Sequence, residues 1–161
     1  MQNYTFRLKS GQDLFDSIQE FVNEKQIRAG CVISVVGSLR RAVLRFANNN
    51  SFSEFEKFFE IASITGTVSV HGSHLHISIS DEEGQTIGGH MESGCKVYTT
   101  AEVALIAFDD SMYKREFAED SGYEELVVYN SWGHSESEKA MTSIRFAVLL
   151  QHTNLFWHYR F

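Results

Sequence analysis

The stretch HLHISISDEEGQTIGGHME, residues 74–92, decides how this chain is read. In its first seven residues Leu75, Ile77 and Ile79 share one parity, while His74, His76, Ser78 and Ser80 share the other. Successive side chains of a β-strand point to opposite faces, so this alternation predicts a strand with one apolar and one polar face. The histidines lie with the serines, away from the core. Asp81 to Gln85 (DEEGQ) then predicts a hairpin with the three-residue loop Glu82 to Gly84, closed by Gly84 in the left-handed conformation. That loop pairs Asp81 with Gln85 and Ile79 with Ile87, the apolar match a buried face requires. A four-residue loop would set Ser78 against Ile87, a poorer pairing. The preferred register carries His90 opposite His76 and Glu92 opposite His74.

Three histidines and a carboxylate thereby fall on one patch. Same-face positions along a strand lie about 6.6 Å apart, close enough for two imidazoles to converge on one ion at metal–nitrogen distances of about 2.0–2.1 Å. Neutral imidazoles suit zinc or another borderline divalent ion, with His74, His76 and His90 as ligands. Glu92 and Glu102 are the nearby carboxylates in the sequence, either of them a supporting partner of the site or simply a solvated side chain. The plainer alternative is a polar histidine cluster without metal. Three histidine ligands with an open fourth position also describe a catalytic zinc, although catalysis needs a base or acid in reach and a substrate pocket. Gly88-Gly89 marks either a bulge or a close approach by another backbone or a ligand.

Outward from this hairpin the chain is rich in short strand signals. Tyr4 to Lys9 alternates, and runs of β-branched and aromatic residues follow at 31–37, 42–47, 58–64, 67–72, 85–91, 99–108, 112–117 and 123–129. Residues 11–27 carry Leu14, Phe15, Ile18, Phe21 and Val22 at helical spacing and predict one helix. Asn48-Asn49-Asn50-Ser51 reads as a loop. The expected class is α+β, a single domain with a mostly antiparallel sheet and one main N-terminal helix.

Composition narrows the function. The 161 residues include 14 Lys and Arg against 21 Asp and Glu, a net charge of −7, which makes a poor generic polyanion binder. Residues 1–45 are nevertheless net +3, and Arg40, Arg41 and Arg45 form the densest basic cluster. A solvated strand edge is the plainer reading of that cluster; a nucleic-acid contact would need several subunits to bring these arginines together. Cys31 and Cys95 make neither a zinc ribbon nor a disulfide framework and read as small buried hydrophobes. The N-terminus has no apolar signal-like segment, and apolar runs such as Ala147–Leu150 fall far short of the roughly 20 residues that span a bilayer. An intracellular, cytoplasmic protein with no membrane partner is expected. His71, before a turn glycine, reads as a surface residue, and His152 and His158 as incidental.

The run HLHISISDEEGQTIGGHMESGCKVYTTAEVAL (74–105) resembles the signature of the PPC (plants and prokaryotes conserved) domain: an H-x-H strand, a D-x-x-G turn, GGH, a Gly-Cys pair and a T-A-E strand. FEIASITGTV (59–68) and GCVISVVGSLRRAVLRFA (30–47) are similar to the family's preceding strands. The resemblance implies a homotrimer, with a zinc or related metal site at His74, His76 and His90 near subunit contacts. Plant relatives join the domain to AT-hooks and act in the nucleus, and stand-alone members are described as DNA-binding. An AT-hook needs an Arg-Gly-Arg-Pro core, and this chain has no proline. The expected organisation is a PPC-like domain over 1–134, with Trp132 and His134 packed at its end, and a C-terminal extension over 135–161. The leading expectation is a non-enzymatic, homotrimeric, metal-binding regulatory module with DNA or DNA-associated proteins as partners, nuclear in a plant-like host. The alternative is a zinc-dependent enzyme acting on a small molecule.

Overall fold

A computed structural model describes residues 1–130. They fall into two units, Met1–Asp109 and residues 110–130. The expected extension over 135–161, together with Trp132, His134, His152 and His158, lies outside the described residues.

The first unit contains β1 (Gln2–Lys9), α1 (Leu14–Glu24), β2 (Gly30–Arg45), β3 (Phe52–Phe55), β4 (Phe59–Val68), β5 (His74–Ser80), β6 (Thr86–Met91) and β7 (Lys96–Ala107). Its seven strands form one sheet in the order β1-β7-β2-β4-β5-β6, with β3 on the far part of β2. Each of its strand pairs among the described residues runs antiparallel. The sheet curls far enough for β6 to meet β2 again, pairing Leu44 with Met91 and Arg45 with His90. The second unit holds a single ribbon, β8 (Ser111–Ala118) paired with β9 (Tyr123–Asn130). The α+β class and the antiparallel sheet are therefore as expected. Among the described residues no helix is long and apolar enough to cross a membrane.

The helix is shorter than the predicted 11–27 because both ends have local stops. Asp13 caps the N-terminus by accepting from the Asp16 amide at 3.0 Å, and its second oxygen accepts from the Gly94 amide at 2.7 Å. At the other end Gln26 takes a positive φ of 52°, two residues after the last helical turn. Leu14, Ile18 and Val22, one stripe at i, i+4 and i+8, are completely buried against the sheet's apolar face.

The expected strand breaks within 31–47 and between 64 and 67 do not occur. Residues 31–37 and 42–47 lie mostly within β2, and 58–64 within β4, which takes in only Thr67 and Val68 of the expected strand 67–72; Ser69 to Gly72 form a turn closed by the Gly72 amide on the Ser69 carbonyl at 3.0 Å. The glycines that suggested breaks mark close backbone approaches instead. A Cβ on Gly37 would lie 2.1 Å from the Thr100 carbonyl oxygen, and one on Gly66 would lie 2.0 Å from that of His74. The ladder shifts register beside Gly37 but continues through it. Strand β3 was not expected from the sequence. The 99–108 segment is a strand, as its Thr and Val residues suggest, and begins three residues earlier at Lys96.

Candidate metal centre

The hairpin of β5 and β6 forms in the register its side chains demand. Ile79 lies opposite Ile87 and His76 opposite His90. The Asp81 amide donates to the Gln85 carbonyl at 3.0 Å, and Gly84 has φ +79°. The Asp81 carboxylate accepts from the Gln85 amide at 2.9 Å and the Glu83 amide at 3.2 Å, holding the loop. Leu75, Ile77 and Ile79 are buried to 2% exposure or less, which drives the opposite parity outward.

One expected pairing does not form. His74 lies opposite Thr67 of β4, not opposite Glu92. The cause is the curl of the sheet: beyond His90 the chain turns to β2, so Met91 faces Leu44 and the Glu92 amide donates to the Val43 carbonyl. Gly88-Gly89 allows this crowding. A Cβ on Gly88 would come within 2.9 Å of the Ile77 carbonyl oxygen, and one on Gly89 within 2.8 Å of that of Arg45. Of the alternatives left open by sequence, backbone approach is the one realised.

His74, His76 and His90 converge. One ring nitrogen of each lies within 4.8 Å of the others, and the Nε2 atoms of His74 and His76 are 3.2 Å apart. Bonds of about 2.0–2.1 Å to a tetrahedral ion put ligand nitrogens about 3.3 Å apart, so the first pair is already at ligand spacing. Three imidazoles fit zinc or another borderline divalent ion. His76 is exposed and His90 is half-buried, so the cluster opens toward solvent.

Glu92 reaches the cluster although its backbone pairing differs. Its Oε1 is 3.4 Å from His90 Nε2 and 3.9 Å from Arg45 Nε. Burial pushes its carboxyl above the ordinary range, partly offset by the Arg45 charge. Glu102 is not brought to the cluster. It is exposed on β7, opposite Arg7 and Val36, with β2 and β4 intervening before β5.

The three arginines separate as well. Arg41 is held by Glu54 at 2.6 Å and Glu56 at 3.1 Å, which keep its guanidinium firmly protonated. Arg45 turns toward Glu92, and Arg40 is exposed with no ion pair among the described residues. Two of the three thus face carboxylates among the described residues. Cys95 is buried, and burial pushes its thiol up to about 11, as befits an inert core residue; Cys31 is only partly buried. His71 is exposed, as read.

Sequence reasoning missed the cavity beside the histidines. It has a volume of about 410 Å³ and is walled by Arg45, Ser63, Thr65, His76, Ser78 and His90, with Phe46 and Ala47 adding apolar surface. Serine and threonine at 63 and 65 carried no motif. Only the long-range return of β6 to β2 brings Arg45 to them.

The sheet and the histidine cluster define a domain class rather than an isolated fold. Residues 1–109 match the family model of the Plants and Prokaryotes Conserved (PCC) domain, and the chain belongs to that family. It is 37% identical over 125 residues to the bifunctional protein GlmU of Synechococcus sp. (strain JA-3-3Ab), covering 78% of this chain and 20% of that one. The chain thus spans about a fifth of the length of that curated relative. A hypothetical protein from Salmonella cholerae-suis superimposes with a TM-score of 0.79 at 35% identity, covering 81% of this chain and 94% of that one. The metal-containing protein AF0104 from Archaeoglobus fulgidus gives a TM-score of 0.70 at 28% identity, covering 78% and 93%.

Proposed function

We propose that this chain is a non-enzymatic, homotrimeric metal-binding module that acts through self-association and regulatory contacts, with His74, His76 and His90 holding zinc or a related divalent ion. The convergence of three imidazole nitrogens within 4.8 Å carries the reading. Structural resemblance to a metal-containing archaeal protein supports it. The ion is not needed for folding, because the core of α1 and the sheet is already closed by apolar residues.

Self-association is supported by a second feature. Ile33 and Val36 of β2, Tyr98 of β7 and Phe58 are 43–61% exposed, and Phe58 packs its ring on Tyr98 at 4.4 Å. Large apolar side chains gathered on an outer face are better explained by a partner than by water. DNA association follows from contact with DNA-bound proteins, since Arg41 is already neutralised by two carboxylates and the chain is net −7.

The deciding experiment is elemental analysis of protein purified without a histidine tag. Near-stoichiometric zinc in the wild type that disappears in His76→Ala is the expected result. Metal-free wild type that also ignores added zinc would remove the metal reading. In parallel, analytical ultracentrifugation of Val36→Asp should shift a trimer to monomer; a monomeric wild type would remove the oligomer. The cavity beside the ion favours a second reading, a zinc-dependent enzyme acting on a small molecule, in which the ion's open position would polarise a bound oxygen.

A further inference from the structure

The register places four chemically different side chains in one row across four strands. Arg45 of β2 lies opposite His90 of β6, His90 opposite His76 of β5, and His76 opposite Thr65 of β4. Directly opposed residues of antiparallel strands project to the same face, so this row forms a continuous strip. Strands spaced about 4.8 Å apart make the strip about 14 Å long, with a guanidinium at one end, a hydroxyl at the other and two imidazoles between. The next row inward adds Ser63 and Ser78, which also lie opposite each other. All of these residues line the 410 Å³ cavity.

From this strip we infer a binding site for a small 2-hydroxy or 2-oxo carboxylic acid, with Arg45 receiving the carboxylate and the hydroxyls of Ser63, Thr65 and Ser78 meeting its remaining oxygens. The inference rests on the metal reading, because it is the ion that gives the acid's second oxygen a partner. A guanidinium presents a planar pair of donors that matches a carboxylate. Phe46 and Ala47 supply apolar wall for a short carbon chain, and the volume suits a small ligand. Charge points the same way. Glu92 is the one carboxylate beside Arg45 among the described residues, at 3.9 Å from Nε. It balances Arg45 alone, so a divalent ion on the histidines makes the cavity net cationic. Acid and ion should therefore strengthen each other's binding by the same factor.

The test uses the full chain loaded with cobalt(II), whose visible absorption reports its ligands, titrated with L-lactate, acetate and inorganic phosphate. Lactate should saturate with a spectral change, acetate should bind more weakly, and phosphate should not compete. Arg45→Met should weaken lactate by about tenfold or more while the variant still takes up cobalt, because a charged hydrogen-bonding partner of the acid is lost. Arg45→Lys should fall between the two. Ser63→Leu fills the cavity from the opposite wall and should block lactate independently, which protects the test against a misfolded Arg45 variant. Cobalt bound without any response to lactate would overturn this inference and leave the metal site standing. An unchanged lactate affinity in Arg45→Met, or tighter binding of phosphate, would also overturn it. A wild type that takes up no cobalt would overturn the metal reading and this inference with it.

Discussion

Two hairpins of the chain, β5–β6 and β8–β9, have similar lengths and glycine-bearing turns, yet they specify their structure by different means. In β5–β6 one face is sealed: Leu75 and Ile79 are fully buried and Ile77 nearly so. A slip of one residue would turn that set into water and the histidines into the core, so the register is fixed by burial. In β8–β9 no residue is buried, and Phe117, Tyr123 and Leu126 are 36–68% exposed. Its cross-strand pairs include Glu116 against Glu125, a like-charge opposition, and local contacts such as Tyr129 Oη donating to Glu116 at 2.6 Å. Precise placement of chemistry needs the first kind of hairpin. The second kind is held by its turn and by surface pairs.

The comparison can be broken most directly in the core. Leu75→Ala should cost about 2–5 kcal/mol, because it deletes apolar atoms from a site with no exposure and leaves a cavity. Leu126→Ala in β9, already 36% exposed, should cost less than about 1 kcal/mol. Urea midpoints of the two variants measure the contrast. Comparable losses would mean that burial does not separate the hairpins.

A smaller and more pointed effect is expected at the glycines. Gly89→Ala drives a methyl to within 2.8 Å of the Arg45 carbonyl and so pushes β6 away from β2. It should cost about 1–3 kcal/mol and weaken metal binding, since His90 rides on the displaced strand. Gly84→Ala meets nothing within 4 Å but sits at φ +79°, so it should cost about 1 kcal/mol of backbone strain and leave metal affinity alone. Zinc titration of the two variants against unfolding curves separates the effects. Equal metal affinity in both would show that the β6–β2 contact does not position His90.

Why the histidines were legible from sequence and the cavity was not follows from the same physics. His74, His76 and His90 are linked by a local hairpin, where alternation and turn length determine register within about 20 residues. The expected opposition of Glu92 to His74 failed at the first residue whose partner lies outside that hairpin, because β6 leaves β5 for β2. The arginines' partners were hidden for a related reason. Arg41 and Arg45 sit at different heights along β2, and only the long-range pairings set Glu54 and Glu56 beside the first and Glu92, after the return of β6, beside the second. Gly37 and Gly66 misled because a sequence shows the missing side chain but not the backbone that fills its place. The α+β class and the apolar stripe of α1 depend only on local periodicity, and these were readable throughout.

The smallest expected effect tests whether the turn adds to what burial already fixes. Lys57 donates to the Asp81 carboxylate at 2.7 Å, and that bond is the main reason the carboxyl is held below its ordinary 3.8, with the Gln85 and Glu83 amides assisting. A carboxyl lowered on folding stabilises the folded chain at pH above its ordinary value. The contribution disappears as pH falls through the lower, folded-state value. Asp81→Asn should therefore be slightly less stable than wild type at neutral pH, and its stability should fall less steeply between about pH 5 and pH 2. Urea midpoints across that range read both quantities. Parallel curves would show that Asp81 acts only through geometry that an amide reproduces, leaving the apolar face alone to hold the histidines in register.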